Sequence, residues 1–454
     1  MTSASQSRPS WWLPALFAVW AAAIAVAPTL PSKAALLAPA ILVPLLWWSL
    51  QNPARWLALF FLSALLLSPL PIPLGDSGPH PSMLFAALGL FAGLLWLTEW
   101  QVVPTSLNAA FATLFGVLLA SVAAAAIYSG GIAAAGSTAR VLLFGISVYI
   151  FFYAAYGPGR QADPMRSVRL LYWVAAAAAL FACIDFYFQL PAPAGYGPQF
   201  VWLDSGVYRR AQGLFYEAST LGNFCAFFLV MIAVAFTRPR AESPVSRKAL
   251  LAGGALFFAA LVLSFSRASL LNVAVALAVL MWCNRRRVRL ARVAVLAAAG
   301  ALLTWWIFPV FAQMYWLRLS ITAEYLFTRT EGVLSGRVAS WHTLVAWVAA
   351  NPWQALFGIG YKTLPYTNFL GNPVVADNMY LSLLVETGVV GVATLLWLNI
   401  AILRTAARRS NTFFGMWMLC FWAGQSVQMA SGDLLTYWRV LPVYFLILAL
   451  ALRP

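Results

Sequence analysis

The chain runs to 454 residues, of which 63% are hydrophobic and 9% charged, and its mean hydropathy is +0.83. A soluble globular domain carries about 25% charged residues, so a water-soluble fold is excluded and lipid must be part of the solvent. The formal charge of +16, from 28 Lys and Arg against 12 Asp and Glu, reads as membrane topology rather than as a nucleic-acid footprint, because cytoplasmic loops concentrate basic residues.

Apolar runs of spanning length recur from end to end, at 11–28, 34–50, 54–71, 82–98, 105–128, 138–156, 168–190, 214–236, 249–264, 269–283, 293–312, 378–403, 412–430 and 434–452. They predict an all-α, polytopic helical membrane protein of about 14 transmembrane helices, forming a single integral membrane domain over 1–454. The first run, from Ser10 to Pro28, reads as a retained span, since no small-residue cleavage site follows it. The pair 249–264 and 269–283 also reads as one long broken helix, interrupted at Ser264-Phe265-Ser266-Arg267. Residues 313–376 are predicted to form a large periplasmic loop between spans 11 and 12, and connections of that length are usually functional. Within it, Val338 to Ala350 follows an amphipathic helical pattern that includes Trp341 and Trp347 and suits the interface plane.

Four basic clusters fix the orientation: Arg160/Arg166/Arg169, Arg238/Arg240/Arg247/Lys248, Arg285/Arg286/Arg287/Arg289/Arg292 and Arg404/Arg408/Arg409. The span list puts all four on one side, taken as cytoplasmic together with both termini, and puts the long loop on the other. The four cysteines, Cys183, Cys225, Cys283 and Cys420, lie in or beside apolar runs without metal-ligand or disulfide-framework spacing. With only His80 and His342 as imidazoles, a histidine-built metal site is not expected.

Against this background the polar residues on the non-cytoplasmic side stand out, because ionisable groups at membrane depth are costly and tend to be functional. They are Arg209, Arg210 and Glu217 ahead of and within the 214–236 run, Arg267 at the tip of the 249–283 hairpin, Arg337 in the long loop, Asp377 and Asn378 at the start of the 378–403 run, and Asp433 and Arg439 in the last hairpin. Arg209 reads equally as a snorkelling helix anchor. Asp433 and Arg439 read better as a structural ion pair within the bundle. Asp377 reads alternatively as a helix cap, and His342 as a loop–helix packing residue. Several arginines at one face with few balancing acids suit a diphosphate, which guanidinium binds bidentately. Arg210 and Arg267 would hold it and stabilise the charge of a departing pyrophosphate. Glu217 or Asp377 would take the proton from an attacking sugar hydroxyl.

Three stretches carry a family likeness: Ser264-Phe-Ser-Arg267-Ala-Ser-Leu; Gly336-Arg337-Val-Ala-Ser-Trp341 with Asn351-Pro352-Trp and Phe357-Gly358-Ile-Gly360-Tyr361; and Asp377-Asn378-Met-Tyr380-Leu-Ser-Leu-Leu-Val-Glu386-Thr-Gly388-Val-Val-Gly391. In order, spacing and placement around one outer loop they resemble the O-antigen ligase/polymerase superfamily, over a motif region of about 210–400. The resemblance implies a GT-C-like glycosyltransferase of the bacterial inner membrane, acting at the periplasmic face without nucleotide sugar or metal. It implies undecaprenyl-diphosphate-linked glycans as donor and acceptor, the lipid bilayer as environment and a chain-length regulator as a candidate partner, with no role for nucleic acid. Carried over, Arg210 and Arg267 match the diphosphate-contacting arginines, and Arg337 matches the loop arginine ahead of the tryptophan Trp341. Asn378, Tyr380 and Trp341 would support them. Ligases of the superfamily typically carry His-Asn where this chain has Asp377-Asn378, and Arg210-x-x-Gly213-x-x-x-Glu217-x-Ser219 looks more like Wzy-type polymerases. The expectation is therefore a polymerase of lipid-linked repeat units, with a ligase acting on lipid A-core as the alternative and a lipid-linked glycan transporter as the remaining one.

Overall fold

A computed structural model describes residues 12–284 and 337–453, apart from 71, 73–77, 194–195, 198, 204–205, 368–370 and 372, together with seven scattered positions between 305 and 320. The expected span 293–312, the basic run Arg285–Arg292 and the loop residues up to 336 thus lie almost wholly outside the described residues. Within them the chain is all-α save for one hairpin. The helices are α1 (Trp12–Val26), α2 (Leu30–Leu50), α3 (Arg55–Leu66), α4 (Ser82–Leu95), α5 (Ser106–Tyr156), α6 (Pro164–Phe188), α7 (Ala218–Thr237), α8 (Arg247–Leu263), α9 (Arg267–Cys283), α10 (Arg337–Ala350), α11 (Pro352–Phe357), α12 (Met379–Arg408), α13 (Phe413–Gln428) and α14 (Leu441–Leu452). Strands β1 (Phe200–Leu203) and β2 (Gly206–Arg209) pair antiparallel, Phe200 opposite Arg209, and were not foreseen in the sequence. Helices α5, α6, α7 and α12 are each long and apolar enough to cross a membrane, and the chain is a multi-pass membrane protein.

Side-chain caps start half of these helices, where the sequence offers a small oxygen. Thr105, Asp163, Ser246, Ser266 and Thr412 each accept a backbone N–H of the following turn, satisfying donors that have no intrahelical partner. Ser264, Phe265 and Ser266 separate α8 from α9, with Phe265 in the left-handed region at φ 51°, so the pair is two helices and not one bent rod.

Helix α5 combines two of the expected spans. At 51 residues it would be about 76 Å long if straight, more than twice the hydrocarbon thickness of about 30 Å. Gly130, at φ 84° and ψ 172°, reverses it. The two arms fold back antiparallel, with the rings of Phe111 and Phe151 4.7 Å apart. A non-glycine residue pays strain at that φ, which is why the reversal falls in the Gly130-Gly131 pair.

Helix α14 lies at the centre, buried along its whole length from Leu441 to Ala451. Phe445 meets Phe111 of α5 at 4.8 Å, Tyr444 meets Phe227 of α7 at 4.6 Å, and Phe421 of α13 meets Tyr444 at 4.8 Å. Since lipid is as apolar as these side chains, packing and interhelical hydrogen bonds hold such a bundle together. The hydrogen bonds are present: Asn223 and Asn272 each donate to Oε1 of both Gln425 and Gln428 at 2.5–3.1 Å, Tyr444 donates to Asn223 at 2.6 Å, and Gln428 donates to Ser269 at 3.2 Å. This buried amide cluster ties α7, α9, α13 and α14 into one frame.

The bundle has two chemically distinct ends. At one, Arg238 donates to the Ser410 and Asn411 carbonyls, Arg169 to that of Pro244, and Arg453 to those of Ala154, Gly159 and Ala162. The three described basic clusters and the last residues of α14 therefore share that end. The opposite end carries the remaining polar residues singled out in the sequence.

Candidate functional site

Three helices open at the second end, with Glu217, Ser266 and Asn378 as the N-cap residues of α7, α9 and α12. The first two are adjacent: a Cβ added at Gly222, one turn into α7, would stand 2.7 Å from Ser264 Oγ and Ser266 Cβ. Helix N-termini present unpaired N–H groups and a positive partial charge, so this mouth favours an anion before any side chain is counted.

Arg210 is brought to the head of α9. Its Nε donates to the Ser264 carbonyl at 2.8 Å, and the next residue's N–H, that of Ala211, donates to Leu263 at 3.0 Å. Arg267 is the first residue of α9, three positions beyond Ser264, and is half-buried. The two arginines thus lie at one junction. Arg209 does otherwise. It is buried in an ion pair with Asp185 at 2.5 Å and also donates to the Leu190 carbonyl, so it is no snorkelling anchor.

Glu217 was expected one turn into a helix. It is instead the N-cap residue, extended at φ −133° and ψ 148°, and its carboxylate makes no capping bond. It accepts from Ser219 Oγ at 2.7 Å. Burial raises its pKa above the ordinary carboxylate range; Ser219 and Lys362 pull it down, while the negative charges of Asp377 and Asp433 add to the rise. These shared influences put Glu217, Asp377, Asp433 and Lys362 in one electrostatic neighbourhood. Tyr437 belongs to it, its phenol pushed up by burial and then by Glu217, with Asp433 and Asp377 adding to the rise.

Asp377 lies at φ 45° and is paired with Arg337, whose Nε stands 3.0 Å from its Oδ2. Both side chains are substantially exposed, at 30% and 47%. The reading of Asp377 as a cap is corrected, since Asn378 Oδ1 takes the Leu381 N–H at 3.1 Å and does that work. Trp341 Nε1 donates to the Ala376 carbonyl at 2.6 Å, fastening α10 beside the Arg337–Asp377 pair, and Tyr380 donates to the Ser426 carbonyl at 2.7 Å. His342 is exposed on α10, so a packing role is not what it has.

The expected Asp433–Arg439 pair does not form. Asp433 caps a short turn at 434–436 that turns its carboxylate towards Lys362, and the two make an ion pair. Arg439 is 3% exposed and donates to the Ala64 and Leu67 carbonyls at 2.6 and 2.8 Å, to the Tyr196 hydroxyl at 2.9 Å and to the Leu214 carbonyl. Burial lowers its pKa to about 10. It braces the segment leading to Glu217 against the end of α3.

Lys362 escaped the sequence reading, although it is a basic residue on the side where basic residues are scarce and directly follows the quoted Gly358-Ile-Gly360-Tyr361. Arg140 escaped it too; its guanidinium lies 4.8 Å over the Tyr366 ring and donates to that hydroxyl at 2.7 Å. Lys362 adopts φ 58° and its side chain is 11% exposed. Burial works against its charge, but Asp433 and Glu386 outweigh burial and raise its pKa. Its loop is clamped to a break in α12 at Gly388, φ 71°. Ile359 and Gly360 donate to the Val385 and Glu386 carbonyls at 3.1 and 2.8 Å. Among the described residues, no group of three or more His, Cys, Asp or Glu side chains is placed to hold a metal ion.

The class this defines is a multi-pass helical membrane protein that gathers arginine, lysine and carboxylate side chains at one end. Residues 252–396 match the family model described as O-antigen ligase, a stretch that contains Arg267, Arg337, Lys362 and Asp377. Over that stretch the chain is similar to the O-antigen ligase/polymerase superfamily. No curated protein matches the chain.

Proposed function

We propose that the protein polymerises undecaprenyl-diphosphate-linked oligosaccharide repeat units at the periplasmic face of the bacterial inner membrane. One observation carries this reading: Arg210 is fastened to the Ser264 carbonyl at the head of the helix that Arg267 begins, inside a segment matching the O-antigen ligase family. Two guanidinium groups and a helix N-terminus at one junction suit the diphosphate of a lipid-linked donor. The basic clusters at the far end of the bundle support a cytoplasmic assignment for that end and a periplasmic one for the mouth.

The transfer follows from charge and proton balance. A hydroxyl of the acceptor glycan attacks the anomeric carbon of the donor, and a C–O bond forms as the C–O bond to the diphosphate breaks. Undecaprenyl diphosphate departs with the electron pair, stabilised by Arg210 and Arg267. The hydroxyl proton passes to Glu217. Attack opposite the leaving group inverts the anomeric configuration. Burial and a raised pKa suit Glu217 as the base, whereas Asp377 is exposed and already paired with Arg337. Arg337 then orders the loop carrying Asp377 and completes the rim.

Reconstitution in proteoliposomes with purified lipid-linked repeat units tests the proposal. Chain growth is expected with the wild-type protein and is lost in Arg210→Ala and Arg267→Ala. No growth with the wild type, or unchanged growth in both variants, refutes it. The ligase reading draws on the family description itself, and supplying lipid A-core beside the repeat units separates the two by which acceptor is glycosylated.

A further inference from the structure

A cavity of about 350 Å³ lies behind the segment that carries Arg210 and Glu217. Its walls come from Ser68 to Leu70 after α3, Phe181 and Asp185 on α6, Pro191 and Pro193, and Gly213 and Leu214. Asp185 is its one charged side chain, and the residue is 3% exposed. Its Oδ1 is held by Arg209 at 2.5 Å and the Gly213 backbone N–H also acts on the carboxylate, but Oδ2 is buried and makes no direct hydrogen bond. A buried carboxylate oxygen with no direct hydrogen bond of its own is costly and calls for an explanation.

The wall chemistry narrows the occupant. A carboxylate only accepts, so the missing group is a donor. Arg209 already balances the charge, so neither an anion nor a cation is called for. The other side chains are apolar save Ser68, which is exposed at the rim and adds a second polar contact. Apolar side chains interspersed with polar atoms, from Asp185, Ser68 and the backbone, suit a neutral ring that bears hydroxyl groups. The volume falls within the range of about 300–1,000 Å³ typical of small-molecule sites.

Position in the chain separates this cavity from the arginine junction. Residues 210 and 211 bond to the α8–α9 connection, whereas Gly213 packs on α6, where an added Cβ would stand 2.9 Å from that of Ala182. The segment therefore divides two compartments. Leu214 is three residues from Glu217, a backbone reach of at most about 11 Å.

We infer that this cavity holds one sugar ring of the acceptor glycan, with a ring hydroxyl donating to Asp185 Oδ2, on the opposite side of the 210–214 segment from the donor diphosphate. The inference rests on the transfer reaction proposed above for its naming of the acceptor, and on cavity chemistry alone for its naming of a sugar.

The test uses full-length protein in nanodiscs, with the oligosaccharide released by mild acid from the cells' own lipid-linked intermediates as probe. Saturation-transfer NMR is expected to show binding that weakens at least tenfold in Asp185→Asn and in Ser68→Trp, which blocks the rim without touching the ion pair. In proteoliposomes the acceptor KM rises at least tenfold in Ser68→Trp while the donor KM stays within twofold. Unchanged probe binding and acceptor KM in Ser68→Trp overturn the inference, as does displacement of the probe by undecaprenyl phosphate, which would make the cavity a lipid site. If the wild type transfers no glycan yet binds the probe in a Ser68-sensitive way, the cavity assignment to a sugar holds and the proposed reaction falls. If transfer proceeds normally and both variants behave as wild type, the cavity assignment alone falls.

Discussion

Replacing Glu217 by Gln and, separately, Asp377 by Asn separates base from scaffold. The Arg337–Asp377 pair is 30% and 47% exposed, so its loss costs no more than about 1 kcal/mol. Asn378 keeps the cap of α12 in either case. Gln at 217 retains an oxygen for the Ser219 hydroxyl, limiting the structural cost to about 1 kcal/mol. Neither change unfolds the protein. A lost general base, by contrast, lowers the rate by about 10²- to 10⁴-fold, equivalent to about 2.7–5.4 kcal/mol of barrier. Chain growth from purified lipid-linked repeat units, measured as initial rate at saturating donor and acceptor, should fall at least a hundredfold in Glu217→Gln. It should change less than fivefold in Asp377→Asn. The reverse order, with Asp377→Asn the crippled variant, refutes Glu217 as the base.

Three further outcomes follow from the same structure. The rate should fall as pH drops through the raised pKa of Glu217, since only the ionised carboxylate accepts a proton; Lys362→Met removes a group that lowers that pKa and should move the acid limb to higher pH, while Asp377→Asn should move it lower, and an acid limb unmoved by both would contradict the shared neighbourhood. His80 has its pKa lowered to about 4 by burial and then by Arg439. Its Nε2 donates to the Leu67 carbonyl at 3.0 Å and its Nδ1 accepts from Ser82, so the folded state keeps it neutral while the unfolded chain protonates near pH 6.5. Stability should therefore decline by about 3 kcal/mol as pH falls from 6.5 to 4, with His80→Gln flattening that decline in thermal-shift measurements. Gly388→Ala should lower thermal stability markedly, because the new Cβ would lie 2.1 Å from the Leu356 carbonyl oxygen at a φ of 71°; a melting temperature within a degree of wild type would show the break to be pliable.

The helical, membrane-spanning architecture was legible because lipid imposes long apolar runs, and Arg210 and Arg267 because a charged group at that depth is expensive. What escaped was set by contacts distant in sequence. Lys362 meets Asp433 across 71 positions, and no periodicity announces such a pair. Asp433 and Arg439 are close in sequence, yet the turn between them sends the carboxylate to a loop and the guanidinium to the backbone of α3. Glu217 looked helical because an apolar run surrounds it, while the extended backbone at 217 makes it a terminus. Two expected spans proved to be one helix folded at Gly130, a distinction that hydropathy alone does not draw.

The clamp between the 358–364 loop and the break in α12 has a mechanical consequence. Gly358 and Gly388 each bring one backbone so near the other that an added Cβ would stand 2.3 and 2.1 Å from a carbonyl oxygen of the opposing strand of chain. Lys362 is thus fixed to a membrane-embedded column, and the loop that presents it shifts only if the break in α12 shifts with it.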